Sequence, residues 1–145
     1  MSYLKELINK GINASGAEFH HIEADLFIAL NAIKEKPDFV SAFLELSSWM
    51  GTSLRSGVWT YYEATAKNQV EMIIRYLQQN AANREISRMY ALGNHDYSDE
   101  KYQVNFDYPQ EWIEESKIID KWIFDNEANI ILFLQEILKK IDPVP

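Results

Sequence analysis

The sequence predicts an all-α fold, a single-domain bundle of about six to seven helices over residues 1–145, with one extended segment near residues 101–108. Three observations carry that reading. Apolar residues recur every three to four positions along most of the chain, the spacing of one helix face. Glycine, proline, serine, asparagine and aspartate stand where those stripes stop and start. Hydrophobic residues make up 47% and aromatics 13% of a chain long enough to enclose its own core, and no cysteine is present to staple it.

The first helix starts near Ser2, carries Leu4, Leu7 and Ile8 on one side, and stops at Gly11. Ser15 and Glu18 have capping-box spacing, each side chain satisfying a free backbone N–H at a helix start. Phe19, Ile22, Leu26, Ala29, Leu30 and Ile33 continue that helix to about residue 35. Pro37 breaks it and Asp38 caps the next, which buries Val40, Phe43 and Leu44 and ends at Gly51. Residues 52–65, with Gly57 and the Trp59, Tyr61, Tyr62 cluster, also read as helical.

Ala66, Val70, Ile73, Ile74 and Leu77 form the next stripe, and Asn83 caps a shorter helix through Ile86, Met89 and Tyr90 to Gly93. Residues 94–100 read as loop. Beyond them Tyr102, Val104, Phe106 and Tyr108 alternate with Gln103, Asn105 and Asp107, the period of a strand with one dry and one wet face. No partner strand is visible, which leaves three readings: a segment lying across helices, a ribbon formed with a second copy in a homodimer, or an edge open to a peptide. Pro109 opens a helix with Trp112, Ile119 and Ile123 inward. Asp125 caps the last helix, whose stripe runs from Ile130 to Ile141, with Lys139 and Lys140 opposing its dipole and Asp142-Pro143 ending it.

Charge narrows the function. Residues 1–95 hold 10 acids against 9 bases, residues 96–127 hold 10 against 3, and residues 128–145 hold 2 against 2. A net −7 in one third of the chain repels phosphate backbones and attracts a basic partner, so direct nucleic-acid binding is not expected. The longest unbroken run of aliphatic and aromatic residues, Ile130 to Leu134, is far short of the ~20 residues of a spanning helix. The N-terminus is charged where a signal peptide would turn apolar, so no membrane association and a cytoplasmic location are expected.

Chemical motifs are sparse. Gly93-Asn94-His95-Asp96 resembles one block of the calcineurin-like metallophosphoesterases, but the Asp-x-His and later histidines that a two-metal site needs are missing. Glu18-x-x-His21 has the spacing of a di-iron bundle ligand pair, yet only one copy occurs, and His21 lies about 125° around the helix from the apolar stripe, beside Glu18 and Asp25. Neither a nucleophile elbow nor a glycine-rich phosphate loop is present, and no cofactor is expected. Trp49, Trp59, Tyr61, Tyr62, Trp112 and Trp122 read as core packing, since an aromatic platform for bases comes with a basic groove.

The segment Arg55-Ser56-Gly57-Val58-Trp59-Thr60-Tyr61-Tyr62, the amphipathic helix after it and the acidic capped C-terminal helix resemble a family of uncharacterised bacterial all-helical proteins that includes an acidic dimeric DNA-mimic protein. The resemblance spans roughly residues 42–138. It implies an all-helical protein that presents carboxylates where a basic site expects phosphates, and it defines no catalytic residue. An immunity protein that covers a toxin's basic active site would carry the same signature.

The leading expectation is a non-enzymatic interaction module that engages a basic protein, DNA-mimic-like or immunity-type, through Asp99, Glu100, Asp107, Glu111, Glu114, Glu115 and Asp120. The alternative is a small helical enzyme or metal-binding bundle using Glu18, His20, His21, Asp25 or His95.

Overall fold

In a computed structural model, residues 2–80 and 83–141 are described. Among them the chain forms helices only: α1 (Tyr3–Asn13), α2 (Gly16–Asn31), α3 (Asp38–Ser56), α4 (Val58–Ala64), α5 (Lys67–Gln79), α6 (Arg84–Leu92), α7 (Glu100–Gln103), α8 (Gln110–Asp125) and α9 (Glu127–Leu138). None of these helices is long and apolar enough to cross a membrane. They fall into two compact units, residues 1–47 with 128–145 and residues 48–127.

The first unit joins α1, α2, the first half of α3 and α9. Ser2 caps α1 by accepting the Lys5 N–H at 3.2 Å. The capping box of Ser15 and Glu18 is present, with the Ser15 N–H donating to Glu18 Oε2 at 3.4 Å. Phe19, Leu26 and Leu30 of α2 are fully buried, as are Phe43 of α3 and Ile130 and Leu134 of α9. Each such side chain removed from water contributes about 1.5–3 kcal/mol to folding. Gln135 is a polar residue inside this greasy interior. Its Nε2 donates to the carbonyls of Gly11 and Ala14, both at 2.9 Å, and so closes the C-terminal end of α1 with a side chain from α9.

Several boundaries differ from the expected ones. The α1 helix runs through Gly11 to Asn13, where the missing Cβ makes room for the tips of Leu26 and Leu138. The α2 helix stops at Asn31 instead of residue 35, and Lys36 Nζ donates to the Ile33 carbonyl beyond it at 2.7 Å. Asp38 is the first residue of α3, and it is the Pro37 carbonyl that accepts the Val40 and Ser41 N–H groups. The α3 helix passes Gly51 and ends at Ser56. Asp125 closes α8, held by Lys121 at 2.6 Å, and α9 starts at Glu127. The expected stop at Asp142-Pro143 lies outside the described residues.

The second unit joins the end of α3 with α4 to α8. Gly57 sits at φ +92, a conformation that strains any residue with a Cβ, and this kink separates α3 from α4. Asn83 caps α6 by accepting the Ile86 N–H at 3.2 Å. Trp49 is completely buried, edge-on to Tyr90 with centroids 5.5 Å apart and tilted against Trp122 at 6.4 Å. Tyr61 and Tyr90 share a hydroxyl hydrogen bond of 2.6 Å, and the Tyr62 hydroxyl donates to the Tyr90 carbonyl at 2.8 Å.

The expected strand at 101–108 is overturned. Asp99 caps the short α7 by accepting the Lys101 N–H at 2.9 Å, and a turn over residues 104–106 leads to Pro109. A lone strand would leave its backbone groups without partners, whereas a helical turn bonds Tyr102, Gln103 and Val104 locally, to the carbonyls of Asp99, Asp99 and Glu100. Of the four residues placed on one dry face, Tyr108 is buried and Tyr102 half-buried, while Val104 and Phe106 are exposed.

Candidate functional site

The chemistry-bearing side chains of the second unit gather around the loop after α6, the short α7 and the first turns of α8. Tyr97 is fully buried and contacts the rings of Trp59 at 5.6 Å, Tyr62 at 5.5 Å and Trp112 at 5.2 Å. Tyr102 packs on Trp112 at 4.9 Å and on Tyr108 at 6.0 Å, which ties α7 to the start of α8. These rings lie within contact distance of one another and pack as an aromatic cluster.

Polar groups close this aromatic core. His95 stacks on Trp112 with centroids 4.4 Å apart, and its Nε2 hydrogen-bonds Glu115 Oε2 at 2.5 Å. The Tyr108 hydroxyl donates to Glu63 Oε1 at 2.6 Å, and its phenol is pushed up to about 12, first by burial and then by that carboxylate. Burial, with the Glu115 charge second, lifts the Tyr97 phenol above its ordinary range, and burial with Tyr90 second does the same for Tyr62.

Asp120 Oδ1 accepts the Val58 N–H at 2.7 Å and so holds the first turn of α4 against α8. Burial raises the pKa of its carboxyl above the ordinary value of 3.8, with the Val58 N–H opposing. The folded protein therefore holds this proton more tightly than the unfolded chain. The resulting stabilisation is complete below 3.8 and is lost as pH rises through the folded value. Asp120→Asn keeps an oxygen for Val58 and carries no charge. It is expected to be at least as stable as the parent at neutral pH and to show a flatter dependence of Tm on pH from 3.8 upward; equal slopes in a thermal-melt series would refute this.

The seven acids expected to form one docking band divide in two. Asp99, Glu100, Asp107, Glu111 and Glu114 are exposed. Glu115 is engaged with His95, and Asp120 is turned to the Val58 N–H, so neither carboxylate projects freely. Among the described residues, Glu100, Asp107, Glu111 and Glu114 take part in no ion pair. Of the bases close by in sequence, Lys101 lies over the ring of Tyr102 at 5.2 Å, and the exposed Lys117, three residues after Glu114, makes no ion pair with these carboxylates among the described residues. Such uncompensated charges project a negative field from α7 and the start of α8.

The residues of the alternative reading fall in both units, Glu18, His20, His21 and Asp25 in the first and His95 in the second. Glu18, His21 and Asp25 are exposed along α2, and His20 Nδ1 stands 3.8 Å from Glu23. Among the described residues no group of three His, Asp or Glu side chains is arranged to hold a metal ion. His95 lies in the second unit, in contact with Glu115, Tyr97 and Trp112.

Sequence reasoning missed Val104 and Phe106 as surface groups, and missed the internal roles of Glu63, Glu115 and Asp120. Alternation of apolar and polar residues pointed the wrong way for the first pair. Nothing local in the chain marks a carboxylate whose partner is 62 positions away, as Asp120 and Val58 are. No family model matches the chain, and neither a curated protein nor a solved structure matches it.

Proposed function

We propose that the protein is a non-enzymatic interaction module whose acidic face, formed by Asp99, Glu100, Asp107, Glu111 and Glu114, docks on a basic protein in the manner of a DNA mimic or an immunity protein. The observation that carries this reading is the set of exposed carboxylates at the cap of α7 (Asp99), on α7 (Glu100), between α7 and α8 (Asp107) and on the first turns of α8 (Glu111, Glu114), which make no ion pair among the described residues. Like charges gathered in one stretch of chain repel one another and add to a negative potential at the surface. A basic partner gains from them both in speed of encounter and in choice of partner.

The test is affinity capture from the native host with the parent chain and with Glu111→Lys combined with Glu114→Lys. The parent is expected to retain one or more basic proteins that moderate salt releases, because a Debye length of about 8 Å at physiological ionic strength shortens further as salt is added. The double variant should lose them while its stability stays within about 0.5 kcal/mol, as is usual for exposed substitutions. Retention of the same proteins by the variant would sink the proposal.

A further inference from the structure

Phe106 presents two unfavourable features at once. Its backbone is at φ 51, and it is the only non-glycine residue with positive φ among the described residues. Aromatic side chains rarely adopt this left-handed conformation, which crowds the Cβ against the following carbonyl oxygen. Its ring, moreover, is 75% exposed, and Val104 beside it is 68% exposed. A strained conformation is ordinarily over-determined by packing around it. Here the ring contributes little to the core, while its neighbours Tyr102 and Tyr108 turn inward and anchor the turn from both sides.

We infer that Val104 and Phe106 are the apolar anchor of the interface, and that the partner offers an apolar pocket rimmed by lysine or arginine side chains. This rests on the docking function proposed above. The occupant follows from charge complementarity: along the chain the turn is preceded by exposed Asp99 and Glu100 and followed by exposed Asp107 and Glu111, with Lys101 drawn over Tyr102. An aromatic residue that enters a pocket while a polar rim excludes water is the usual anatomy of an interface hot spot. The tight turn fixes the direction of the Phe106 Cα–Cβ bond before encounter, which lowers the backbone ordering cost of binding.

The test uses a displayed library of random peptides panned against the full chain, followed by titration of the enriched peptides on variants. Enriched peptides are expected to combine lysine or arginine with at least one large apolar residue. Phe106→Asn, which suits the left-handed backbone but removes the ring, should weaken them about 30-fold. Its Tm should equal or exceed that of the parent, since asparagine relieves the strain. Peptides weakened by Glu111→Lys with Glu114→Lys but indifferent to Phe106→Asn would overturn the anchor and leave the acidic docking face standing. Apolar peptides without basic residues, indifferent to the charge reversal, would overturn both. A fall in Tm for Phe106→Asn would show that the ring serves the fold, and a parent dimer that the substitution dissociates would make the occupant a second copy; either result refutes the inference.

Discussion

Gly93→Ala is expected to cost about 3 kcal/mol or more and to lower Tm by roughly 10 °C, as read by a thermal or urea melt. The reason is local and steric. Gly93 ends α6 with φ −84 and ψ 12, values open to any residue, so backbone freedom is not what glycine supplies. A Cβ at this position would lie inside the ring of Tyr62, against its Cε2, Cζ and hydroxyl. That ring cannot step aside cheaply. It stacks on Tyr97 at 5.5 Å, its hydroxyl donates to the Tyr90 carbonyl at 2.8 Å, and it is buried on all sides. Alanine therefore forces out a packed tyrosine along with its hydrogen bond. Gly51→Ala is the matched control: nothing lies within 4 Å of a Cβ there, and the position is inside α3, so a gain of about 0.5–1 kcal/mol is expected from helix propensity. Equal stability of Gly93→Ala and the parent would mean that Tyr62 does not occupy this place.

Gln135→Leu has the second largest expected effect. Leucine is close in size and the interior around α9 is apolar, so transfer alone would favour the change. The carbonyls of Gly11 and Ala14 then lose their shared donor. The Gly11 carbonyl keeps only the long Ala14 N–H contact of 3.4 Å and the Ala14 carbonyl is part-buried; against the about 1–3 kcal/mol cost of a wholly unpaired buried acceptor, the net loss is expected near 2 kcal/mol. Hydrogen exchange should localise the damage, with the amides of α1 exchanging faster while those of α5 and α6 keep their protection. A variant as stable as the parent, with α1 exchange unchanged, would show that water or the Ala14 N–H, which also points at the Gly11 carbonyl, already suffices.

The proposed docking face and its proposed anchor rest on the same packing of the second unit as Gly93. Tyr97, Tyr102, Tyr108 and Trp112 pack against one another, and that packing gives the loop after α6 and the turn before α8 a fixed shape. The acids between and beyond them are held outward as a consequence. Substitutions at the exposed Glu111, Glu114 or Phe106, which test the proposed interface, are thus separable from fold substitutions at Gly93 or Tyr62, and a variant that loses binding without losing stability is the informative one.

The sequence alone determined that the chain is helical, and where most of the helices lie. Periodicity of the apolar residues is a backbone-scale signal, repeated over ten or more positions, and it survives local irregularities. Short-range polar signals were legible for the same reason: Ser2, the Ser15 and Glu18 pair and Asn83 cap helices whose N–H groups are two to three residues away. The concentration of acid between residues 96 and 127 was also visible, because counting charge needs no structure.

Only the tertiary structure decided what each group in that region does. Alternation over residues 102–108 is compatible with a strand, but a strand needs a neighbour, and without one the backbone bonds to itself in α7 and turns Val104 and Phe106 outward. Glu115 and Asp120 share a helix with Glu111 and Glu114, but at 100° per residue they lie about 60° and about 80° from the centre of the apolar stripe and so flank it, while Glu111 and Glu114 lie further round. Whether a carboxylate faces water or a distant N–H depends on what packs there, here His95 from the loop and Val58 from α4. Gly93 read as a helix stop and does close α6, but that it also seats the ring of Tyr62 came only from the packing. In each case the deciding partner is remote in sequence, and packing at near-crystalline density sets which remote groups meet.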